Sequence, residues 1–405
     1  MPPLPEWKKN LAALWFAQLA GMGAITGVMA FLPLYVRELG ITNLEEAGVW
    51  SGLLMGAAPL TAAMAGPYWG SVADRHGRKL MVMRVMFAFF TVMVLMGFVA
   101  SVNQLLFLRV VQGVCGGFTA AALALVTSLS PPDQITWTLG IFQTAMIAGS
   151  AFGPMFGGII ADHFGYRWAF VSFGLLCLVS LIIIRLAVVE RFTPAAATAK
   201  QPVWREIGAI ITIPGLWLTL ALQFLIQFAM MIIAPILPIY VHVLSPNLTY
   251  IASAAGAIIA AAGLTSAVAS AAMGKISKRF SHRAILITAA ALSALCFAAQ
   301  ALADNVLLFG AMRAVSGFFL GAMLPTVNAL TYYLIPEEKR GVAYGVTTAS
   351  MQMGIVFGPI SGGALAVYFG FPSVFWLSAL LFAAVAVGVA LVRSLPDTGS
   401  GKDPG

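Results

Sequence analysis

Arg109 and Arg313 stand 204 positions apart, each inside a long apolar run. A guanidinium in hydrocarbon costs about 2.5–3.5 kcal/mol on insertion scales, and charge at such a place commonly marks a path for a solute or a proton. Gln112 and Gly113 follow the first arginine, while Gln18, Gln223, Gln227 and Asn328 put neutral amides into other apolar runs. Such amides bind the polar end of a ligand or hydrogen-bond one helix to another. Acids are placed differently. All fourteen Asp and Glu residues fall in connections or at the ends of runs, among them Glu38, Asp162 and Asp74. No Ser/His/Asp or Cys/His constellation, no metal-ligand spacing and no phosphate-cradling GxxxxGK[ST] is present in the chain, so an enzyme, a metal site or a cofactor is not expected.

The elements that hold these groups follow from composition. The 405 residues are 60% hydrophobic and 9% charged, against about 25% charged in soluble domains. Apolar runs reach the roughly 20 residues a helix needs to cross a bilayer. Twelve are expected, near 10–36, 47–73, 80–101, 104–129, 135–161, 168–189, 213–242, 250–275, 284–303, 306–334, 340–368 and 372–393. The longest polar break, "ERFTPAAATAKQPVWRE", divides them six and six. The expected organisation is an all-α integral membrane protein. Residues 1–189 and 213–396 form two six-helix bundles, 190–212 a linker and 397–405 a disordered tail. No cleavable signal is apparent after "PEWKKN". Cys115, Cys177 and Cys296 lie in apolar runs and read as small buried residues. The 22 Lys and Arg residues behind the net charge of +8 lie mostly in connections, those of one side of the twelve-span arrangement, the other side holding Arg37 and Arg167. By the positive-inside rule both termini and the linker are cytoplasmic, and the basic charge needs no nucleic acid to explain it.

The halves repeat each other. "FLPLYV" (31–36) returns as "ILPIYV" (236–241), and "GSAFGPMFGG" (149–158) as "GIVFGPISGG" (354–363), both at a shift of 205. Arg109 and Gly113 return as Arg313 and Gly317 at 204. The basic cluster "GSVADRHGRK" (70–79) stands opposite "GKISKRFSHR" (274–283) at the same offset. Repeats of this kind build secondary transporters, with the substrate site near the midplane between them.

Three motifs make the whole chain resemble the major facilitator superfamily, and within it the twelve-helix drug–proton antiporters of the MdtG type. Gly70, Asp74, Arg75, Gly77, Arg78 and Lys79 occupy the places of its loop signature. Arg109, Gln112 and Gly113 match its fourth-helix motif; Gly149, Gly153, Pro154, Gly157 and Gly158 match the antiporter motif of its fifth helix. The resemblance implies export by alternating access, proton-coupled, from the inner membrane of a bacterium. A small-metabolite uptake carrier and a lipid or lysolipid translocator are the alternatives.

Each motif carries a physical expectation. A six-residue turn with Gly70 and Gly77 joins the second and third spans, and Asp74 pairs with Lys339, Arg340 and the start of the eleventh span. In the second repeat Lys278 takes the acid's place and looks to Asp133. Gly149, Gly153 and Gly157 recur every fourth residue and let a neighbouring backbone approach; the resemblance places that seam between the bundles. Arg109, with Glu38 and Asp162 at span ends, is a candidate for proton coupling. Without a mid-span acid, a cationic substrate is disfavoured. The expected partners are a neutral, zwitterionic or anionic amphipath, protons and lipid, acting on a monomer.

Overall fold

The computed structural model describes residues 5–190, 215–335 and 340–391, apart from the side chains at 74, 136, 333, 340–342 and 344. Among these residues the regular structure is helical, without a strand. The linker from 191 to 212, Lys339 and the tail at 397–405 lie outside the description, as do the side chains of Asp74 and Arg340.

Helices α1 (Glu6–Gly27), α2 (Leu32–Glu38), α3 (Leu44–His76), α4 (Arg78–Gly97), α5 (Val102–Val114), α6 (Phe118–Leu129), α7 (Ile135–Phe164) and α8 (Tyr166–Ala187) make the first repeat. Helices α9 (Leu216–Met231), α10 (Leu237–Leu244), α11 (Ile251–Ile276), α12 (His282–Ala301), α13 (Val306–Leu334), α14 (Arg340–Phe369) and α15 (Phe371–Leu391) make the second. Among the described residues eleven segments are long and apolar enough to cross a membrane, and the shorter apolar helix Leu216–Met231 stands at the place of the seventh expected span. Helices form here because backbone polar groups have no water to bond in hydrocarbon and must satisfy one another within the segment.

By contact the chain divides into two units, residues 1–197 with 247–260, and residues 198–246 with 261–405. In the first, α1 packs on α7 and α8, α4 on α8, and α3 on α5. In the second, α9 packs on α14, α12 on α15, and α12 on α13. The pairings α1–α7 and α9–α14 are the same pairing repeated, as are α4–α8 and α12–α15. Equivalent aromatic clusters mark the repeat at side-chain level. Tyr35 and Phe170 lie 5.3 Å apart between ring centroids in one unit, Tyr240 and Phe375 4.9 Å apart in the other. Ser101 and Asn305, 204 positions apart, both cap a helix by accepting from a backbone N–H.

The turn between α3 and α4 is tighter than its sequence implies. Nothing in residues 71–76 breaks a helix, so α3 runs on to His76 and Gly77 alone makes the corner, at φ 92° and ψ 151°. That conformation is open to glycine and strained for any other residue. Gly70 sits within α3, and a Cβ there would meet nothing within 4 Å. Arg84 is the seventh residue of α4 and lies within the third expected span.

Glycine spacing decides which helices touch. A Cβ at Gly149 would lie 2.7 Å from the Leu19 carbonyl oxygen and 2.8 Å from Met22 Cβ, whereas one at Gly140 on the same helix would meet nothing. Gly149→Ala should therefore destabilise the protein by about 1–3 kcal/mol through overpacking. Gly140→Ala should gain about 0.5–1 kcal/mol from the lost backbone freedom of glycine. Thermal unfolding of the two variants in detergent micelles should move in opposite directions.

Candidate functional site

Arg109 is buried, and its Nη1 donates to Gln112 Oε1 at 3.1 Å, one turn along α5. Its Nε has no partner. Gly113 lies against α3 so closely that a Cβ there would strike the Ala58 carbonyl and Thr61 Oγ1. The fourth-span motif thus works as a unit: glycine brings α5 onto α3, and the arginine–glutamine pair projects from the same short helix. Gln18 on α1 is fully buried, and neither amide atom has a hydrogen-bond partner. An unsatisfied buried amide costs about 1–3 kcal/mol, which makes Gln18 a candidate ligand contact in the first unit.

The second unit solves the same positions differently. Gln223, the repeat mate of Gln18, donates from Nε2 to Asn328 Oδ1 at 2.6 Å and leaves its own Oε1 free. Gln227 is buried one turn further on. Arg313 has unpartnered Nε and Nη1 atoms, with its guanidinium carbon 5.6 Å from the Phe297 ring centre. That is a cation–π contact rather than the side-chain hydrogen bond made by Arg109.

The loop signature is wired into its own unit. Arg78 Nη1 donates to the Ala124 carbonyl at 2.7 Å. Lys79 Nζ donates to the carbonyls of Val188 at 2.6 Å and Arg185 at 3.2 Å, capping the end of α8. The carboxylate of Glu190 accepts from the backbone N–H groups of Arg78 at 3.0 Å and Lys79 at 2.8 Å, and so caps the start of α4. Glu190 is absent from the sequence expectation; an acid directly following the sixth span, in a chain with a basic cluster awaiting a counter-charge, is the signal that points to it. Arg75 and Lys278 are exposed, Lys278 on the turn after α11. Asp133 lies in the short turn Pro132–Gln134 and accepts from Gln134 Nε2 at 2.9 Å.

The antiporter motif needs a correction. Gly149, Gly153 and Gly157 meet Leu19, Met22, Gly23, Thr26 and Gly27 of α1, inside their own repeat. The second copy, Gly354, Gly358 and Gly362, lies in the same way on α9. The every-fourth-residue face is therefore not the seam between repeats, because α1 already fills it. The next face of α7 carries Pro154 and Gly158, and these meet the first turns of α11: a Cβ at Gly158 would strike the Ala252 carbonyl, and one at Gly256 the Pro154 carbonyl.

Asp162 completes that contact. Its carboxylate accepts from Ala252 N at 3.2 Å and Ser253 N at 2.6 Å, at the N-terminus of α11. Free N–H groups and the helix dipole both favour negative charge there. His163 stacks on Tyr250 beside it, with ring centroids 5.0 Å apart. Glu38 instead pairs with Arg167 at 3.7 Å on an exposed edge, where an ion pair is worth about 0–1 kcal/mol. Among the described residues no three His, Cys, Asp or Glu side chains gather as a metal site.

A family model described as Major Facilitator Superfamily matches residues 14–263 and 223–405. The chain belongs to the major facilitator superfamily. Within this superfamily it is 34% identical over 392 residues to the multidrug resistance protein MdtG of Enterobacter lignolyticus (strain SCF1), covering 96% of this chain and 94% of that one. MdtG of Citrobacter koseri is 35% identical over 383 residues, covering 94% of each. Among solved superfamily-like folds, a bacterial homolog of the human lysosomal transporter Spinster, inward-facing and occupied, aligns over 100% of both chains with a TM-score of 0.80 at 15% identity. A D-xylose–proton symporter aligns over 97% of this chain and 98% of its own with a TM-score of 0.74 at 16% identity. This superfamily member is a multi-pass membrane transporter and not an enzyme.

Glu190→Ala removes both acceptors from the start of α4 and should cost about 1 kcal/mol or somewhat more, the usual worth of an N-cap. Hydrogen exchange should quicken at residues 78–81 and leave α7 untouched. Equal protection in the variant would mean that the N–H groups of Arg78 and Lys79 have another partner.

Proposed function

We propose that this chain is a secondary efflux transporter that carries amphipathic drugs or metabolites out of a bacterial cell by alternating access, driven by inward proton movement. The observation that carries this reading is the similarity to the MdtG multidrug resistance proteins along nearly the whole length of both chains. The Arg109–Gln112 pair and the unpartnered amide of Gln18 are the proposed contacts for the polar end of a substrate in the first repeat. Gln223, Gln227, Arg313 and Asn328 take that part in the second. In the described spans the acids sit only in terminal turns, as Glu6, Glu45, Glu46 and Asp162 do. Spans that carry arginines, with carboxylates only in their terminal turns, favour a neutral, zwitterionic or anionic amphipath. Both termini on the cytoplasmic side accord with the distribution of Lys and Arg; a monomer in the inner membrane completes the proposal.

Asp162 is the proposed coupling group. As a carboxylate it holds Ala252 N–H and Ser253 N–H; protonated, it loses an acceptor and releases the first turn of α11 from α7. His163, stacked on Tyr250, the Glu38–Arg167 pair, Tyr166 and Arg37 are ionisable neighbours at this end of the unit. Asp74 with Lys339 and Arg340, and Lys278 with Asp133, are proposed as paired latches on the cytoplasmic side.

Everted membrane vesicles with an acid interior separate export from uptake. The exporter accumulates a neutral amphipath such as radiolabelled chloramphenicol inside them; an uptake carrier does not. Asp162→Asn leaves one acceptor oxygen where the carboxylate has two, as the protonated acid does, and cannot titrate. It should abolish gradient-driven accumulation and spare downhill exchange. Accumulation at the wild-type rate would remove Asp162 from the coupling scheme.

A further inference from the structure

The fourth span is two helices. α5 ends at Val114 and α6 begins at Phe118, with Gly117 between them in the left-handed region at φ 94° and ψ 17°. A Cβ at Gly117 would meet nothing within 4 Å, so the backbone angle, not lack of space, calls for glycine. Ending a helix inside a membrane strands its last carbonyls. Here donors from other helices take them up. Trp69 Nε1 on α3 donates to the Val114 carbonyl at 2.6 Å. Arg84 Nη2 on α4 donates to the carbonyls of Cys115 at 3.2 Å and Gly116 at 2.9 Å. The Arg84 guanidinium lies 3.3 Å from the centre of the Trp69 ring, so the two donors brace each other.

The second repeat is an internal control. At the shift of 204, Trp69 becomes Met273, Arg84 becomes Thr288, and Cys115-Gly116-Gly117 becomes Phe319-Leu320-Gly321. There α13 runs unbroken from Val306 to Leu334, and Thr288 Oγ1 donates to carbonyls of its own helix. Break and donors occur together in one repeat and are missing together from the other. The pairing is therefore a built feature of the first repeat and not a by-product of the fold.

The two halves of the span also lean on different neighbours, α5 mainly on α3 and α6 on α4. α5 carries the Arg109–Gln112 pair. Arg84 holds the break through one nitrogen only, since its buried Nε and Nη1 have no partner. A grip of that kind can be released and remade.

We propose that Arg84, seconded by Trp69, is a positioning residue for transport: it satisfies the carbonyls of a hinge at Cys115–Gly117, so that α5 and its Arg109–Gln112 pair move as a rod independent of α6. This rests on the transport reading for its consequence, but the hinge itself is testable without any substrate.

Hydrogen exchange of the full-length protein in lipid nanodiscs should quicken at residues 114–121 in Arg84→Met and leave α13 unchanged. Chloramphenicol accumulation in everted vesicles should fall about tenfold or more at equal membrane abundance, as for a hinge substitution. Arg84→Lys, which keeps a donor, should retain part of it. The deciding variant is Arg84→Met with Gly117→Ala, which lets the span close into one helix. Thermal stability should return and exchange at 114–121 should fall below wild type, while transport stays low. Recovery of transport along with stability would overturn the hinge and leave the break merely structural, and unchanged exchange in Arg84→Met would overturn the latch. A wild-type protein that does not move chloramphenicol would count against the export reading, and exchange alone would then decide on Arg84.

Discussion

Hydrocarbon offers a backbone carbonyl no partner, and this shapes the molecule at every scale. It makes each span a helix, and it makes every departure from helix depend on a donor supplied from elsewhere. Where α5 stops, Trp69 and Arg84 provide the donors. Where α4 starts, Glu190 accepts its first N–H groups, and where α8 ends, Lys79 covers its last carbonyls. Charged side chains in and beside the membrane are thus used first on helix ends. The loop signature, which looks like a surface feature, is in this chain bonded into the first repeat through Arg78 and Lys79.

The second constraint is close approach. With lipid as apolar as leucine, helices associate through packing and hydrogen bonds rather than through expulsion of water. Gly149, Gly153 and Gly157 let α7 lie on α1, and Gly354, Gly358 and Gly362 let α14 lie on α9. These contacts make each repeat firm. What then distinguishes the start of α11 is that its grip on α7 includes a carboxylate, Asp162, which accepts from two backbone N–H groups. A transporter needs rigid bodies and a few contacts that a proton or a solute can undo, and the two kinds of contact use different residues here.

Much of this was legible in the residues. The span limits, the repeat, Gly77 as a corner and the arginines inside spans follow from hydropathy, a constant offset and the cost of charge in lipid. The family is legible too, because its motifs are local in sequence. The partners of the charged groups are not, since those lie far along the chain: Glu190 sits 112 positions from Arg78. The break after Val114 is announced only by Gly116-Gly117, a pair that also fits a continuous membrane helix. Arg84 reads as one more cation near the start of the third span until its bonds to the carbonyls of Cys115 and Gly116 are seen. The glycine face of α7 has the right period for a seam, but period alone does not say which neighbour it meets.

The central claim is that this chain uses a proton gradient to move a solute through the membrane, and proton flux tests it most directly. Purified protein in liposomes containing a pH-sensitive dye should translocate protons when a neutral amphipath is added, with a fixed ratio of protons to solute and no ATP. Solute movement with no accompanying proton flux, and no response to an imposed pH gradient, would contradict the account.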